Sequence, residues 1–506
     1  MKRTTEKDKA RRYRRAFEIF PGLLTWTTLG LLFALAIVKP LWVAIFVIVF
    51  DLYWAIRVGY LTTLLVFAYR RLVLEKETLW FKRCEEAGEL NGLDWKNIYH
   101  AILFPIYKEG LDILTPSIQA LVNSDYPKDR MIVIFSVEER GGAGGTMEGA
   151  ALLKRQYEKE FYALLLTRHP DNMPGEVRAK GANATWGAKA LRGLLDSKRI
   201  AYEIVVISCF DADTCAEREY FSCLTYNYIA NPKRMRSSYQ PIPVYNNNIW
   251  HARSIARVIE LGSSFMQMIE AMRLEKFVTF SSHSMSFKTL VDVGYWPVDM
   301  ISDDSAIYWK CFLHFDGDYS VIPLYITVSM DIATAKGIIP TIIKQYRQKR
   351  RWAWGIENFP YVMMGFLNNP NIPLAKKIRR GFHILESHYT WAIWAIIVMV
   401  MAPLPLILGG VIFRETSIGY NLPSVSAALL RVSIVTLFIS MIISIRLLPP
   451  RPDDVKSSKW IIMFTQWFLL LPFIAAFMSS LPAIDAQTRL MLGRYMRFQT
   501  TEKSRK

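Results

Sequence analysis

Val205-Val206-Ile207-Ser208-Cys209-Phe210-Asp211-Ala212-Asp213 is the stretch on which the reading of this chain turns. Its β-branched opening suits a pleated strand. A strand that ends in Asp-x-Asp sets two carboxylates at the carboxyl edge of a sheet, where α/β sheets bind ligands. Carboxylates so spaced can hold a hard divalent cation, and through it a diphosphate. A turn carrying two solvated acids is the plain alternative.

Other apolar runs of strand length flank this one: Ile98–Phe104, Met131–Phe135 and Phe277–Phe280. Helix-like stretches such as Leu111–Val122 and Ala150–Leu166 lie among them. That alternation predicts an α/β domain with a mostly parallel sheet over residues 70–335. The five cysteines (Cys84, Cys209, Cys215, Cys223, Cys311) are odd in number and lack metal-ligand spacing, so reduced, buried thiols are expected. Gly141-Gly142-Ala143-Gly144-Gly145 lacks the Gly-Lys-Ser/Thr ending of a phosphate loop and reads as a flexible link.

Composition sets the frame around this domain. At 506 residues, 52% hydrophobic and 13% aromatic, the chain exceeds one ordinary soluble domain and is neither disordered nor collagen-like. Lys+Arg outnumber Asp+Glu by 62 to 44, a surplus that suits nucleic acid or the cytoplasmic face of a membrane. Long apolar runs decide for the membrane. Residues 1–19 form a basic cytoplasmic tail, and 20–69 hold two runs that can each cross ~30 Å of hydrocarbon as a hairpin. Residues 336–386 are amphipathic, basic and rich in Trp and Phe, as helices lying at a membrane interface are. Residues 387–482 hold two or three spans, and 483–506 form a second basic tail.

Three crossings from a cytoplasmic domain would strand that basic tail outside, against the positive-inside tendency. Either one run does not cross or the tail is an exception. The run with Pro472 and the run with Pro403 and Pro405 are the candidates. Asp51 and Arg57, within or at the end of the second run, line a polar channel, pair with each other or sit at the interface.

Two more constellations carry chemistry. In Asp303-Asp304, ahead of the helical stretch Ser305–Phe312, one carboxylate can accept a proton from an attacking hydroxyl. An N-cap followed by first-turn acids explains the pair equally well. Gln345-Tyr346-Arg347-Gln348-Lys349-Arg350-Arg351-Trp352 can clamp phosphates and stack on a sugar, bind nucleic acid, or anchor an interfacial helix. His283 is either a hydrogen-bonded core histidine or part of an acceptor site.

Taken in order, Asp211-Ala212-Asp213, Ser302-Asp303-Asp304 and Gln348-Lys349-Arg350-Arg351-Trp352 resemble the DxD, (T/S)-E-D and QxxRW motifs. That set belongs to inverting family 2 glycosyltransferases of the cellulose synthase, hyaluronan synthase and poly-N-acetylglucosamine synthase type. Phe104-Pro105-Ile106-Tyr107-Lys108-Glu109 is similar to the family's P-x-Y-N-E turn, and Lys180-Gly181-Ala182-Asn183 to its K-x-x-x-N segment. Phe498-Gln499-Thr500-Thr501-Glu502-Lys503 resembles the FxVTxK gating loop. Residues 98–360 carry the resemblance well; the membrane layout follows it loosely.

The resemblance implies a GT-A-type α/β domain embedded in an α-helical transmembrane protein, and it implies roles. Asp304 would be the general base, with Asp303 beside it. Pro105, Tyr107, Glu109, Glu138, Lys180, Asn183, Asp211 and Asp213 would bind the nucleotide-sugar, the two DxD acids also holding Mg²⁺ or Mn²⁺. Gln348, Arg351 and Trp352 would face acceptor and pyrophosphate, and Phe498, Thr501 and Lys503 would gate. The donor would be a UDP-hexose or UDP-N-acetylhexosamine and the product a polysaccharide moved across the plasma membrane. No nucleic acid is expected, and accessory secretion subunits would fit. Departures are Asp303 for the usual Glu, Glu138-Glu139 for Asp-Asp, Thr500 for Val, and an insertion over Arg140–Arg178. Single transfer to a lipid carrier and a non-catalytic scaffold are the alternatives.

Overall fold

The computed structural model describes residues 2–456 and 458–496, without the side chains of residues 2–7 and 142–144. The gating residues Phe498, Thr501 and Lys503 lie outside the described residues. The α/β domain is built on eight strands: β1 Tyr99–Ile106, β2 Met131–Glu138, β3 Ala163–His169, β4 Val205–Cys209, β5 Cys215–Ala216, β6 Ser237–Tyr245, β7 Ser284–Ser286 and β8 Ser320–Met330. They order as 3-2-1-4-7-6-8-5. Pairings β3–β2, β2–β1, β1–β4 and β6–β8 are parallel, whereas β7 runs antiparallel between β4 and β6 and β5 closes the far edge antiparallel. β2 and β4 are buried along their whole length, which is why they read as unbroken apolar runs rather than alternating ones.

The helix Lys180–Lys198 packs across β1, β2 and β3. Its small residues let it come close. A Cβ on Gly181 would stand 2.5 Å from the Pro297 carbonyl and 2.8 Å from Asp303 Cβ. That contact brings Lys180 to the acidic pair more than a hundred residues later.

Three expectations need correction. Ala150–Leu166 is not one helix: Thr146–Tyr157 is helical, and Ala163–His169 adds an edge strand along β2. Sheet pairing overrides the local helical pattern there. Gly141–Gly145 is not a flexible link, because Glu139–Gly144 is a 3₁₀ turn and a Cβ on Gly141 would fall 1.6 Å from the Tyr107 carbonyl. Phe277–Phe280 forms no strand; the pairing segment is Ser284–Ser286.

Among the described residues, five helices are long and apolar enough to cross a membrane: Asp8–Val38, Pro40–Lys76, Leu374–Met401, Ser417–Arg446 and Lys459–Met491. The basic N-terminal stretch is not a separate tail but the first turns of the helix Lys2–Val38. Asp51 and Arg57 do not pair with each other: Arg57 bridges to Glu386 at 2.8 Å, and Glu386 also meets Lys276 of the α/β domain at 2.8 Å.

The last long helix packs on the α/β domain at its start and on the helices Ile338–Ala353 and Lys2–Val38 toward its end. At its start Lys459 donates to the Trp250 carbonyl, and Gln466 accepts from Arg257 at 3.0 Å. Toward its end Asp485 pairs with Arg350 at 2.8 Å, and Leu490 accepts from Arg15 at 2.9 Å. A π-helical stretch, Ile474–Ser480, follows Pro472, which lacks the N–H that would continue the backbone ladder.

Candidate active site

β4 delivers Asp211 and Asp213 beyond its carboxyl end. Asp211 is held on both oxygens, accepting from Lys180 Nζ at 2.7 Å and from Ser281 Oγ at 2.8 Å. Asp213 is fully buried, and its Oδ2 accepts the Asp331 N–H at 2.7 Å, which links it to the end of β8.

Lys180 joins two of the motifs. Its ammonium lies 2.9 Å from Asp304 Oδ1 as well as 2.7 Å from Asp211 Oδ1. Burial works against that charge, but the Asp211 and Asp304 carboxylates outweigh it and hold the lysine well above its usual range. The backbone carbonyl of Asp304 accepts from Thr279 Oγ1 at 2.6 Å, so the segment before β7 ties both acids together. Asp303 is buried and its Oδ2 has no hydrogen-bond partner among the described residues. Burial first, then the neighbouring Asp304 charge, push its carboxyl well above the carboxylate range. Both acids occupy the first turn of the helix Asp303–His314, and Ser302 stands at its N-cap position without a side-chain cap bond.

His283 is a hydrogen-bonded core histidine. Trp296 Nε1, a donor only, gives its hydrogen to His283 Nε2 at 3.2 Å, so Nδ1 carries the proton and donates to the Phe280 carbonyl at 3.0 Å. Burial lowers its pKa, with Asp304 opposing, and the ring stays neutral.

The helix Ile338–Ala353 carries the third motif. Trp352 meets Phe280 edge-on at 5.7 Å and Tyr245 at 5.9 Å. Lys349 Nζ stands 3.7 Å from the Trp352 ring centroid and bridges to Glu260 at 3.2 Å. Gln348 is buried, with its carbonyl oxygen unmatched among the described residues. Arg351 is three residues beyond Gln348 on the same helix.

The remaining predicted residues gather at the ends of β1 and β2. Glu109 Oε2 accepts the N–H groups of Tyr107 at 2.7 Å and Lys108 at 3.1 Å, shaping the turn that follows Pro105 and β1. Arg140 lies over the Tyr107 ring at 4.7 Å and donates to Glu138. Burial raises the Glu138 carboxyl, and Arg140 opposes the shift. A cleft lined by Glu138, Arg140, His169, Met173, Arg178 and Ala179 opens there, walled by the insertion. Asn183 faces inward instead: its amide donates to the Ile106 and Ser136 carbonyls at 3.2 and 2.7 Å and pins two strand ends together.

Among the described residues no group of three His, Cys, Asp or Glu closes on a metal position. The donors present are hard carboxylates, Asp211 and Asp213. They fit a cation that takes one or two carboxylates and completes its shell from phosphate oxygens and water.

Sequence reasoning passed over Ser281, Thr279 and Glu357. The two hydroxyls leave no pattern in sequence. Glu357 does leave a signal, as a carboxylate within the apolar stretch Ala353–Phe359, where acids are rarely buried unpaired.

No protein-family model matches the chain. Its sequence is similar to a poly-beta-1,6-N-acetyl-D-glucosamine synthase of Staphylococcus epidermidis, at 24% identity over 311 residues, 60% of this chain and 62% of that one. A synthase of the same name from a strain of that species is 25% identical over 261 residues, 50% of this chain and 54% of that one. The chain therefore matches less than two thirds of the length of either relative. Among solved structures, mannosyltransferase PcManGT from Pyrobaculum calidifontis, in complex with GDP-Man and Mn²⁺, aligns at TM-score 0.41 and 15% identity over 77% of this chain and 99% of that one. S. aureus TarS 1–349 in complex with UDP-GlcNAc aligns at TM-score 0.38 and 12% identity over 79% and 94%. The resemblance to family 2-type glycosyltransferases thus extends from three motifs to alignments over 50% and 60% of the chain.

Proposed function

We propose that the chain is an inverting membrane glycosyltransferase that moves a sugar from a UDP-sugar to a growing polysaccharide and passes the product through its own helices. The observation that carries this reading is Lys180, whose ammonium gathers the DxD acid Asp211 and the acid Asp304 within 2.9 Å. A donor diphosphate would find a cation and two carboxylates at one sheet edge. Similarity to polysaccharide synthases supports the choice of product class.

In this reading Asp304 takes the proton of the acceptor hydroxyl as that oxygen attacks the anomeric carbon. The bond from that carbon to the diphosphate oxygen breaks, its electron pair leaves with UDP, and the centre inverts. Lys180 stays charged through the pH range of the reaction and steadies the departing diphosphate. Asp211 and Asp213 would hold Mg²⁺ or Mn²⁺, which when bound screens diphosphate charge. Tyr107 and Glu138 would flank the nucleotide, and Gln348, Arg351 and Trp352 would form the acceptor floor.

Four crossings complete the picture, because Lys459–Met491 begins against the α/β domain at Trp250 and Arg257 and ends against Arg350 and against Arg15 near the start of the first helix. With that domain in the cytoplasm, both basic termini stay there too, as the positive-inside tendency asks. The plasma membrane is the expected site.

The test is Mn²⁺-dependent UDP release by the detergent-purified protein across a panel of UDP-sugars, with Asp304→Asn and a chelator as controls. Release with one sugar, lost in both controls and yielding a polymer ladder, is expected. Silence from folded protein across the panel would sink the reading.

A further inference from the structure

Glu357 is half-buried at the end of the 3₁₀ turn Trp354–Glu357 that follows the QxxRW-like helix. Its Oε1 accepts three hydrogens from one short loop: Ile301 N–H at 2.9 Å, Ser302 N–H at 2.7 Å and Ser302 Oγ–H at 2.7 Å. Its Oε2 accepts Trp354 Nε1–H at 2.8 Å. The next residue, Asn358, donates to Ser305 Oγ at 2.9 Å and to the Gly355 carbonyl at 3.0 Å.

Every partner of Glu357 is a donor, so the arrangement needs acceptors on both oxygens. Ser302 gives its hydroxyl to Glu357 in place of capping its own helix, although an N-cap serine ordinarily bonds the helix backbone. Helix start and floor turn are therefore fastened to each other across 55 residues of chain.

We propose that Glu357 is a positioning residue that sets Asp304 against the acceptor floor. Ser302 is two residues from Asp304, and Glu357 is five from Trp352. The carboxylate is thus the strut between the group that takes the proton and the surface that holds the sugar receiving the bond. This role rests on the transferase reading. It predicts loss of turnover without loss of donor binding, because Tyr107, Glu138 and Asp211 reach the nucleotide from other elements.

Glu357→Gln keeps the shape and one sp² oxygen for the loop donors, but turns an NH₂ toward the Trp354 N–H. Turnover should fall about 10- to 100-fold, the scale of a misplacement near 1 Å, with the Kd for UDP within about threefold. Trp354→Phe added to Glu357→Gln removes the opposed donor and should recover part of the loss. Glu357→Ala should lose more turnover still while binding UDP. The assays are UDP release for kcat and KM, and calorimetric titration with UDP and Mn²⁺ on the full-length protein in detergent. Wild-type turnover in Glu357→Gln, UDP affinity falling in step with turnover, or no recovery in the double variant would each overturn the role. A wild-type protein that binds UDP but transfers no sugar would instead bring down the transferase reading, and the role with it.

Discussion

Lys349 and Glu260 form an ion pair shut away from water, at 6% and 0% side-chain exposure, with Nζ 3.2 Å from Oε2. Ser263 Oγ accepts from the same ammonium at 2.6 Å, and the Trp352 ring lies beneath it. Glu260 Oε1 has no hydrogen-bond partner among the described residues, so the carboxylate depends on Lys349. Lys349→Met keeps the length of the side chain and removes the charge. Stranding a buried partner costs about 3–5 kcal/mol, and a desolvated cation–π contact adds ~2 kcal/mol. Lys349→Met/Glu260→Leu removes both charges and should return to within about 2 kcal/mol of wild type, since a buried pair replaced by apolar groups is close to neutral. Lys349→Met thus costs about 5–7 kcal/mol and Glu260→Leu, which strands the lysine, about 3–5 kcal/mol, so the cycle should show a coupling of about 6 kcal/mol or more, read from denaturant unfolding in mixed micelles. The pH dependence has a definite sign. Burial lowers the Lys349 pKa, with Glu260 opposing. Between that lowered value and the unfolded value of about 10.4, the unfolded chain binds more protons, so stability rises with pH across the interval. Lys349→Met should abolish that rise. A coupling below about 0.5 kcal/mol, or the same pH slope in the variant, would refute the reasoning.

Asp304→Asn should lower sugar transfer by about 10²–10⁴-fold, the usual worth of a general base, while calorimetric UDP binding stays at the wild-type level. Lys180→Met should weaken UDP binding by roughly 10- to 100-fold, since a hydrogen bond to a charged group is worth about 1.5–3 kcal/mol; unchanged affinity would remove Lys180 from the diphosphate site. Cysteines placed at Ser458 and Arg494 should react with an impermeant maleimide from one face of oriented vesicles, and a cysteine at Glu415 from the other. Labelling of Ser458 and Arg494 from opposite faces would mean that Lys459–Met491 crosses after all.

Much of the α/β domain was legible because local chemistry writes it. Val205–Cys209 is buried on both faces, so its apolar run announces a central strand, and the Asp-x-Asp after it falls at a sheet edge by the same logic. The long apolar helices follow from length and composition alone. Ala163–His169 was hidden, because an edge strand is defined by the neighbour it pairs with and not by its own pattern. Gly141 looked loose for a related reason: the Tyr107 carbonyl that requires a glycine there is distant in the chain.

The sequence by itself determined which acids, cations and aromatics this protein has for chemistry, and on which side of each apolar run its charges lie. Those follow from covalent order and from the cost of moving charge into hydrocarbon. Only the tertiary structure decided that Lys180 spans Asp211 and Asp304, that Asn183 faces strand ends, that Glu357 grips Ser302, and that the last apolar helix meets Trp250 at its start and Arg350 toward its end. Each of these is a contact between groups far apart in the chain. Hydrogen bonds and ion pairs form within about 3 Å, and no local pattern of residues specifies which distant groups the packing of sheet and helices will bring within that reach.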